Sequence, residues 1–198
     1  MANRPSTKSE QHSEKLNVLV PLAQGCEELE AVTITDLLTR AGMNVVTVGL
    51  DAQPVKASRG MVLLPDTTID TVLDKPFDLM VLPGGLPGAD HLQQDDRVQQ
   101  KLKSMALEKK TIAAICAAPK ALASAGLLNG KKATSYPGSL DASQIKDIKY
   151  SEESVVIDSN IITSRGPGTA MDFALTLIEV LLGKEQREAV EAPLMRPH

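Results

Sequence analysis

Aromatic side chains are nearly missing from this sequence, which has no tryptophan, two tyrosines and two phenylalanines in 198 residues. A chain so poor in flat side chains has little with which to stack unpaired bases. Duplex nucleic acid fits no better, because 21 Lys and Arg stand against 25 Asp and Glu, for a net charge of -4, and the cations are scattered. Cysteine is scarce too. Cys26 and Cys116 are too few for a disulfide framework and point to free thiols in a reducing compartment, so a cytoplasmic location is expected. No apolar run approaches the length of a membrane span. Residues 1–15, MANRPSTKSEQHSEK, are polar throughout and contain no signal-peptide core; they read as a disordered tail ahead of a single domain over 16–198.

What the chain does have is an alternation of short apolar runs with longer helical patterns. LNVLVPL (16–22), NVVTVGL (44–50), DLMVL (78–82), TIAAI (111–115) and NIITS (160–164) read as strands, and EELEAVTITDLLTRA, DRVQQKLKSMALEKK and GTAMDFALTLIEVLL as helices between and after them. That order predicts an α/β fold with a mostly parallel sheet covered by helices on both faces. VKASRGMVLLPD (55–66) interrupts the rhythm and predicts a hairpin or edge excursion.

In such sheets ligands sit beyond the carboxyl ends of the strands. Those ends read LAQGCEE, LPGGLPGAD, ICAAPKA and TSRGPGT, three of them rich in glycine, which lets backbone N–H groups approach a ligand. Cys116 sits where a strand meets a helix. It is either a small buried filler or a thiol presented at a helix mouth. The helix dipole is worth about 0.3–1 kcal/mol, or about 2 when partly buried, whereas moving a thiol from a pKa of about 8.5 to near 6 takes about 3.4 kcal/mol. An ionised thiol at neutral pH therefore needs a further hydrogen-bond donor. At 100° per residue, Ala31, Ile34, Leu37, Leu38 and Ala41 form the apolar stripe of the first helix. Glu27 and Glu30 fall on that side at its amino-terminal end, and Glu28 is expected to face solvent. First-turn acids complement the dipole, which accounts for Glu27; Glu30 lies deeper, where a carboxylate is costly unless paired or protonated.

Together LAQGCEELEAV, VLPGGLPGA, AAICAAPKAL and ITSRGPGTAMDFAL resemble the ThiJ/PfpI superfamily, in the branch of the Parkinson-disease-associated protein, over almost the whole chain from Leu16 to Pro193. The resemblance implies a flavodoxin-like three-layer sandwich and a homodimer. It assigns the oxidisable nucleophile to Cys116, the partner acid to Glu30, and oxyanion-type N–H donors to Gly85 and Ala117, with Gly84 in the substrate loop. Glu27, Arg59, Tyr136 and Pro167 would lie at the rim of the pocket or dimer, although a solvated hairpin arginine and a first-turn helix proline describe Arg59 and Pro167 equally well. No cofactor and no metal is implied.

Departures from the family narrow the chemistry. The protease-like branch places histidine directly after the cysteine, where this chain has Ala117, and some close relatives place one where this chain has Tyr136. His12, His91 and His198 are simplest as surface residues. A Cys-His-acid triad lacks its base, and the His-x-Glu pair of class I amidotransferases is absent. The resemblance then implies a glutathione-independent glyoxalase or deglycase that acts on methylglyoxal, glyoxal or early adducts on glycated side chains. The alternative is an oxidative-stress sensor or chaperone that uses the same cysteine, ionised at neutral pH, with little turnover.

Overall fold

The computed structural model describes residues 15–196, so apart from Lys15 the proposed polar tail, together with His12 and His198, lies outside the described residues. Eleven strands and seven helices follow in chain order: β1 (Asn17–Leu22), α1 (Glu28–Arg40), β2 (Asn44–Gly49), β3 (Val55–Lys56), β4 (Val62–Leu63), β5 (Thr67–Thr68), β6 (Leu79–Leu82), α2 (Gly88–Gln94), α3 (Asp96–Leu107), β7 (Thr111–Ile115), α4 (Pro119–Ser124), β8 (Lys132–Ala133), α5 (Ala142–Ile145), β9 (Lys149–Tyr150), β10 (Val155–Asp158), β11 (Ile161–Ser164), α6 (Ala170–Leu182) and α7 (Lys184–Glu191). Seven strands form one sheet in the order β10-β11-β7-β6-β1-β2-β5, parallel except for β10.

The five apolar runs of the sequence are the five central strands of this sheet. Their continuous hydrophobicity reflects burial on both faces, and the pleat divides each run between two cores. Val18, Val20, Leu22, Leu79, Val81, Ala113 and Ile115 pack toward α1 and α6. Leu19, Met80, Leu82, Ile112 and Ala114 pack toward α3 and α4 on the opposite face. Three layers result, as expected. The 55–66 segment holds the antiparallel hairpin β3/β4, with Val55 opposite Leu63. The short strands β5, β8, β9 and β10 carry too little periodicity to stand out in the sequence, and α2 begins inside the stretch that reads as a glycine loop.

The crossover after β1 leaves toward one face and the crossover after β6 toward the other, although β1 and β6 are neighbours. Their carboxyl ends therefore open a crevice at the switch point of the sheet. Residues 23–27 and 83–85 line it, with the end of β7 alongside.

Candidate active site

Cys116 follows directly on β7 and has φ +62, a left-handed conformation that an L residue holds at a cost of order 1–3 kcal/mol. Hydrogen bonds on both sides of the residue keep it there: its N–H donates to Ser164 O at 2.9 Å, and its carbonyl accepts from Tyr136 N–H at 2.7 Å. The turn lifts the thiol out of the strand toward the crevice, and the residue stays only 8% exposed. The Gly85 and Ala117 N–H groups face its sulfur and favour its charged form.

Glu30 is wholly buried on the inner face of α1. Oε2 accepts from Gly84 N–H at 2.8 Å, while Oε1 has no hydrogen-bond partner. The carboxyl also lies within hydrogen-bond reach of the Cys116 thiol. Burial pushes its pKa up to about 7, opposed by the bonds from Gly84 and Cys116 and aided by the charge of Glu27. The thiol is pushed up to about 12 by burial, then by the charge on Glu30 and the hydrogen bond to it, while the Gly85 and Ala117 N–H groups pull it down. This changes the sequence expectation of a standing thiolate. Two acids in contact in a buried site titrate as a pair, so the thiol ionises at neutral pH only by passing its proton to Glu30.

Gly84 makes this contact possible. A Cβ there would fall 2.6 Å from Cys116 Cβ, 2.8 Å from Glu30 Oε2 and 2.9 Å from Ile115 O. Gly85 adopts φ +87, and a Cβ on it would collide with the backbone of residues 25–27. Glu27 N–H in turn donates to Gly84 O at 2.9 Å, which seats the start of α1 on the glycine loop.

Glu28 corrects the sequence reading. It is 9% exposed, not solvated, and its carboxylate accepts Arg59 N–H at 3.0 Å, Met61 N–H at 3.3 Å and Ser58 Oγ–H at 3.2 Å. Burial raises its pKa, but backbone donation, with the Ser58 hydroxyl, outweighs this and leaves it below the usual carboxylate range. Ser58 Oγ also reaches Glu27 Oε2 at 2.7 Å. The helical wheel missed these contacts because the β3/β4 hairpin folds over the outer side of the first turn, and the SRG turn was the available signal.

Among the remaining expected residues, Tyr136 lies against Gly166 and stays half exposed. Pro167 is part-buried and opens a 3₁₀ turn after β11, in keeping with its role as a helix-entry proline. Arg59 is exposed, and its guanidinium meets no partner among the described residues. Cys26 is fully buried, and its thiol is pushed up to about 11 by burial and then by Glu28 and Glu27. Both cysteines are free. Among the described residues no three His, Cys, Asp or Glu gather closely enough to hold a metal, and no helix is long and apolar enough to cross a membrane.

The crystal structure of Drosophila melanogaster DJ-1beta superposes with a TM-score of 0.88 at 42% identity, covering 93% of this chain and all of that one. In sequence, the Parkinson disease protein 7 homolog of Danio rerio is 44% identical over 89% of this chain and 95% of its own length. A protein of Caenorhabditis elegans named glutathione-independent glyoxalase DJR-1.2 is 34% identical over 89% of this chain and 94% of its own. The DJ-1/PfpI family pattern matches residues 16–180. With a flavodoxin-like sheet and relatives matched over almost their full length, the chain belongs to the DJ-1/PfpI family.

Proposed function

We propose that this protein is a glutathione-independent glyoxalase of the deglycase type, converting methylglyoxal to lactate through Cys116 and acting on early glyoxal adducts of side chains by the same chemistry. The observation that carries the proposal is the buried Glu30 carboxyl, with a pKa near 7, in hydrogen-bond reach of the thiol. Such a group serves as base and acid in turn at neutral pH. Glu30 takes the thiol proton as sulfur bonds to the aldehyde carbon, and the carbonyl electron pair moves to oxygen. The Gly85 and Ala117 N–H groups stabilise that oxygen, and removing one such donor costs about 100- to 1000-fold in other enzymes. Glu30 passes that proton to the oxygen, which gives the hemithioacetal and restores the carboxylate. Glu30 then removes the C1 proton to form an enediol and returns a proton to C2, leaving a thioester; water breaks the C–S bond and releases lactate and the thiol. The name of the Caenorhabditis elegans relative supports this assignment.

The test is lactate formation from methylglyoxal without glutathione. Wild type should form it, and a folded Cys116→Ser should not. Turnover that survives in Cys116→Ser removes the mechanism, and none in wild type at millimolar substrate favours the redox-sensor alternative.

We also propose a homodimer. Leu29 and Val32 on the outer face of α1, with Met61 and Val62 on the hairpin that clasps Glu28, expose apolar side chains beside Arg59, whose guanidinium has no partner among the described residues. A sedimentation mass of about twice 21.1 kDa is expected, and a monomer at micromolar concentration rejects the assignment. Two free thiols support action in a reducing compartment such as the cytoplasm.

A further inference from the structure

The two N–H groups that face the Cys116 sulfur come from different crossovers. Gly85 precedes α2 and Ala117 precedes α4, so their separation depends on how these two helices sit against each other as well as on the backbone bonds that hold the two loops. The helices have seven and six residues and no side-chain N-cap bond. Helices this short are not stable alone, and tertiary contacts must place them. Leu92 shares one buried apolar cluster with Ala121 and Leu122, but apolar contact is non-directional and does not by itself fix how the helices slide along each other. Directional contacts supply the rest. The Asp90 carboxylate pairs with the Lys120 ammonium across the first turns, and Gln93 Nε2 donates to Ser124 Oγ at 2.7 Å farther along.

The ion pair is joined to the donors through the backbone. Ala89 N–H, beside Asp90, donates to Gly85 O at 2.8 Å, and Lys120 N–H donates to Ala117 O at 3.4 Å. Each charged residue therefore lies at the turn that bonds the carbonyl of one donor residue. The Lys120 side chain is 19% exposed and that of Asp90 36%, and a pair this accessible adds only about 0–1 kcal/mol to global stability.

We infer that Asp90 and Lys120 are positioning residues: their ion pair braces α2 against α4 and fixes the Gly85 and Ala117 N–H groups on the Cys116 sulfur. The inference rests on Cys116 being the nucleophile proposed above. Neither residue touches the sulfur, and both act through the donor loops.

The test follows Cys116 alkylation by iodoacetamide against pH, read on the peptide containing ICAAPK, in wild type, Lys120→Met, Asp90→Asn, the double variant and Lys120→Arg. Glu30 on α1, with Glu27 behind it, is the titratable group facing the sulfur, and all five proteins keep both acids. A direct charge effect moves the two single variants in opposite directions, because one loses a cation and the other an anion. A brace moves them in the same direction. We expect both alkylation midpoints to rise and kcat for methylglyoxal to fall roughly tenfold at unchanged KM, since small misplacements of catalytic groups cost up to about a hundredfold. The double variant should be no worse than either single one, and Lys120→Arg should recover most of the loss. Opposite shifts, no shift, or losses that multiply in the double variant overturn the inference. If a single variant fails to fold, the charge-swapped Asp90→Lys/Lys120→Asp protein decides: a near wild-type midpoint supports the brace, and a raised one rejects it. If wild type forms no lactate, the proposed function fails while the alkylation profiles still decide on the brace.

Discussion

Replacing Glu30 by Gln should stabilise the protein, by an amount that grows from about pH 4.5 to about pH 7 and then levels off. Gln keeps the shape and an oxygen acceptor for the Gly84 N–H, but it carries no charge. Glu30 is wholly buried, so solvent screening does not dilute the effect. Its pKa stands at about 7 against an ordinary 4.5, and each pH unit of that displacement corresponds to about 1.4 kcal/mol. A carboxyl with a raised folded value binds its proton more tightly when folded. The stability this confers is complete below about pH 4.5 and is lost as pH climbs to about 7. Wild type and Glu30→Gln should therefore be about equally stable at or below pH 4.5 and separate between about pH 4.5 and pH 7. By pH 8 the variant should be ahead by about 3 kcal/mol, or roughly 6–12 °C in Tm for a chain of this length. Thermal melts of both proteins at half-unit pH steps make the measurement, and lactate formation is lost in the variant throughout. A difference independent of pH, or a wild type more stable at pH 8, would show that Glu30 is not a buried acid with a raised pKa.

Three further outcomes follow from the same geometry. The proton passed from thiol to carboxylate requires the pair to have lost one of its two protons, so kcat/KM should rise with pH through a midpoint near 7 with unit slope; a profile that falls or is flat between pH 6 and 8 contradicts this. Gly84→Ala would drive a Cβ to 2.6 Å from Cys116 Cβ, and should lower activity at least a hundredfold and stability by about 1–3 kcal/mol; full activity in a folded variant would mean that the loop has room not seen here. Two equivalents of peroxide should convert Cys116 to sulfinate by way of the sulfenic acid and leave the fully buried Cys26 unmodified, and equal oxidation of the two by peptide mass spectrometry would remove the special status of Cys116.

Much of the fold was legible because five strands are buried on both faces, and a continuous apolar run is what double burial requires. TIAAI is an example: Ile112 and Ala114 enter one core and Ala113 and Ile115 the other, so none of these four positions tolerates a polar residue. The peripheral elements have no such constraint. β8 and β9 are two-residue ladders defined by their pairing with each other, and VVID in β10 alternates too briefly to distinguish an edge strand from a loop. α2 was hidden because its sequence, GADHLQQ, opens on a glycine used for close approach to Cys26, not for flexibility.

The two acids of α1 show where local periodicity stops being informative. The wheel places Glu30 correctly, because the face it names is the face that packs on the sheet. It misplaces Glu28, because the outer face of the first turn is covered by a hairpin more than thirty residues away in sequence, and periodicity within one helix carries no information about that cover. The state of the thiol was misjudged for a related reason. A helix mouth and a nearby acid appear as two separate aids to ionisation when each is weighed alone, yet the acid itself competes for the single proton once both groups lie in a buried crevice. Which partner holds that proton depends on the Gly84 N–H at Glu30 Oε2 against the Gly85 and Ala117 N–H groups at sulfur. Those three donors come from backbone that any residue could supply. Only the absence of a side chain at Gly84 lets the carboxyl and the thiol meet, and the double glycine after β6 was the trace of that contact in the sequence.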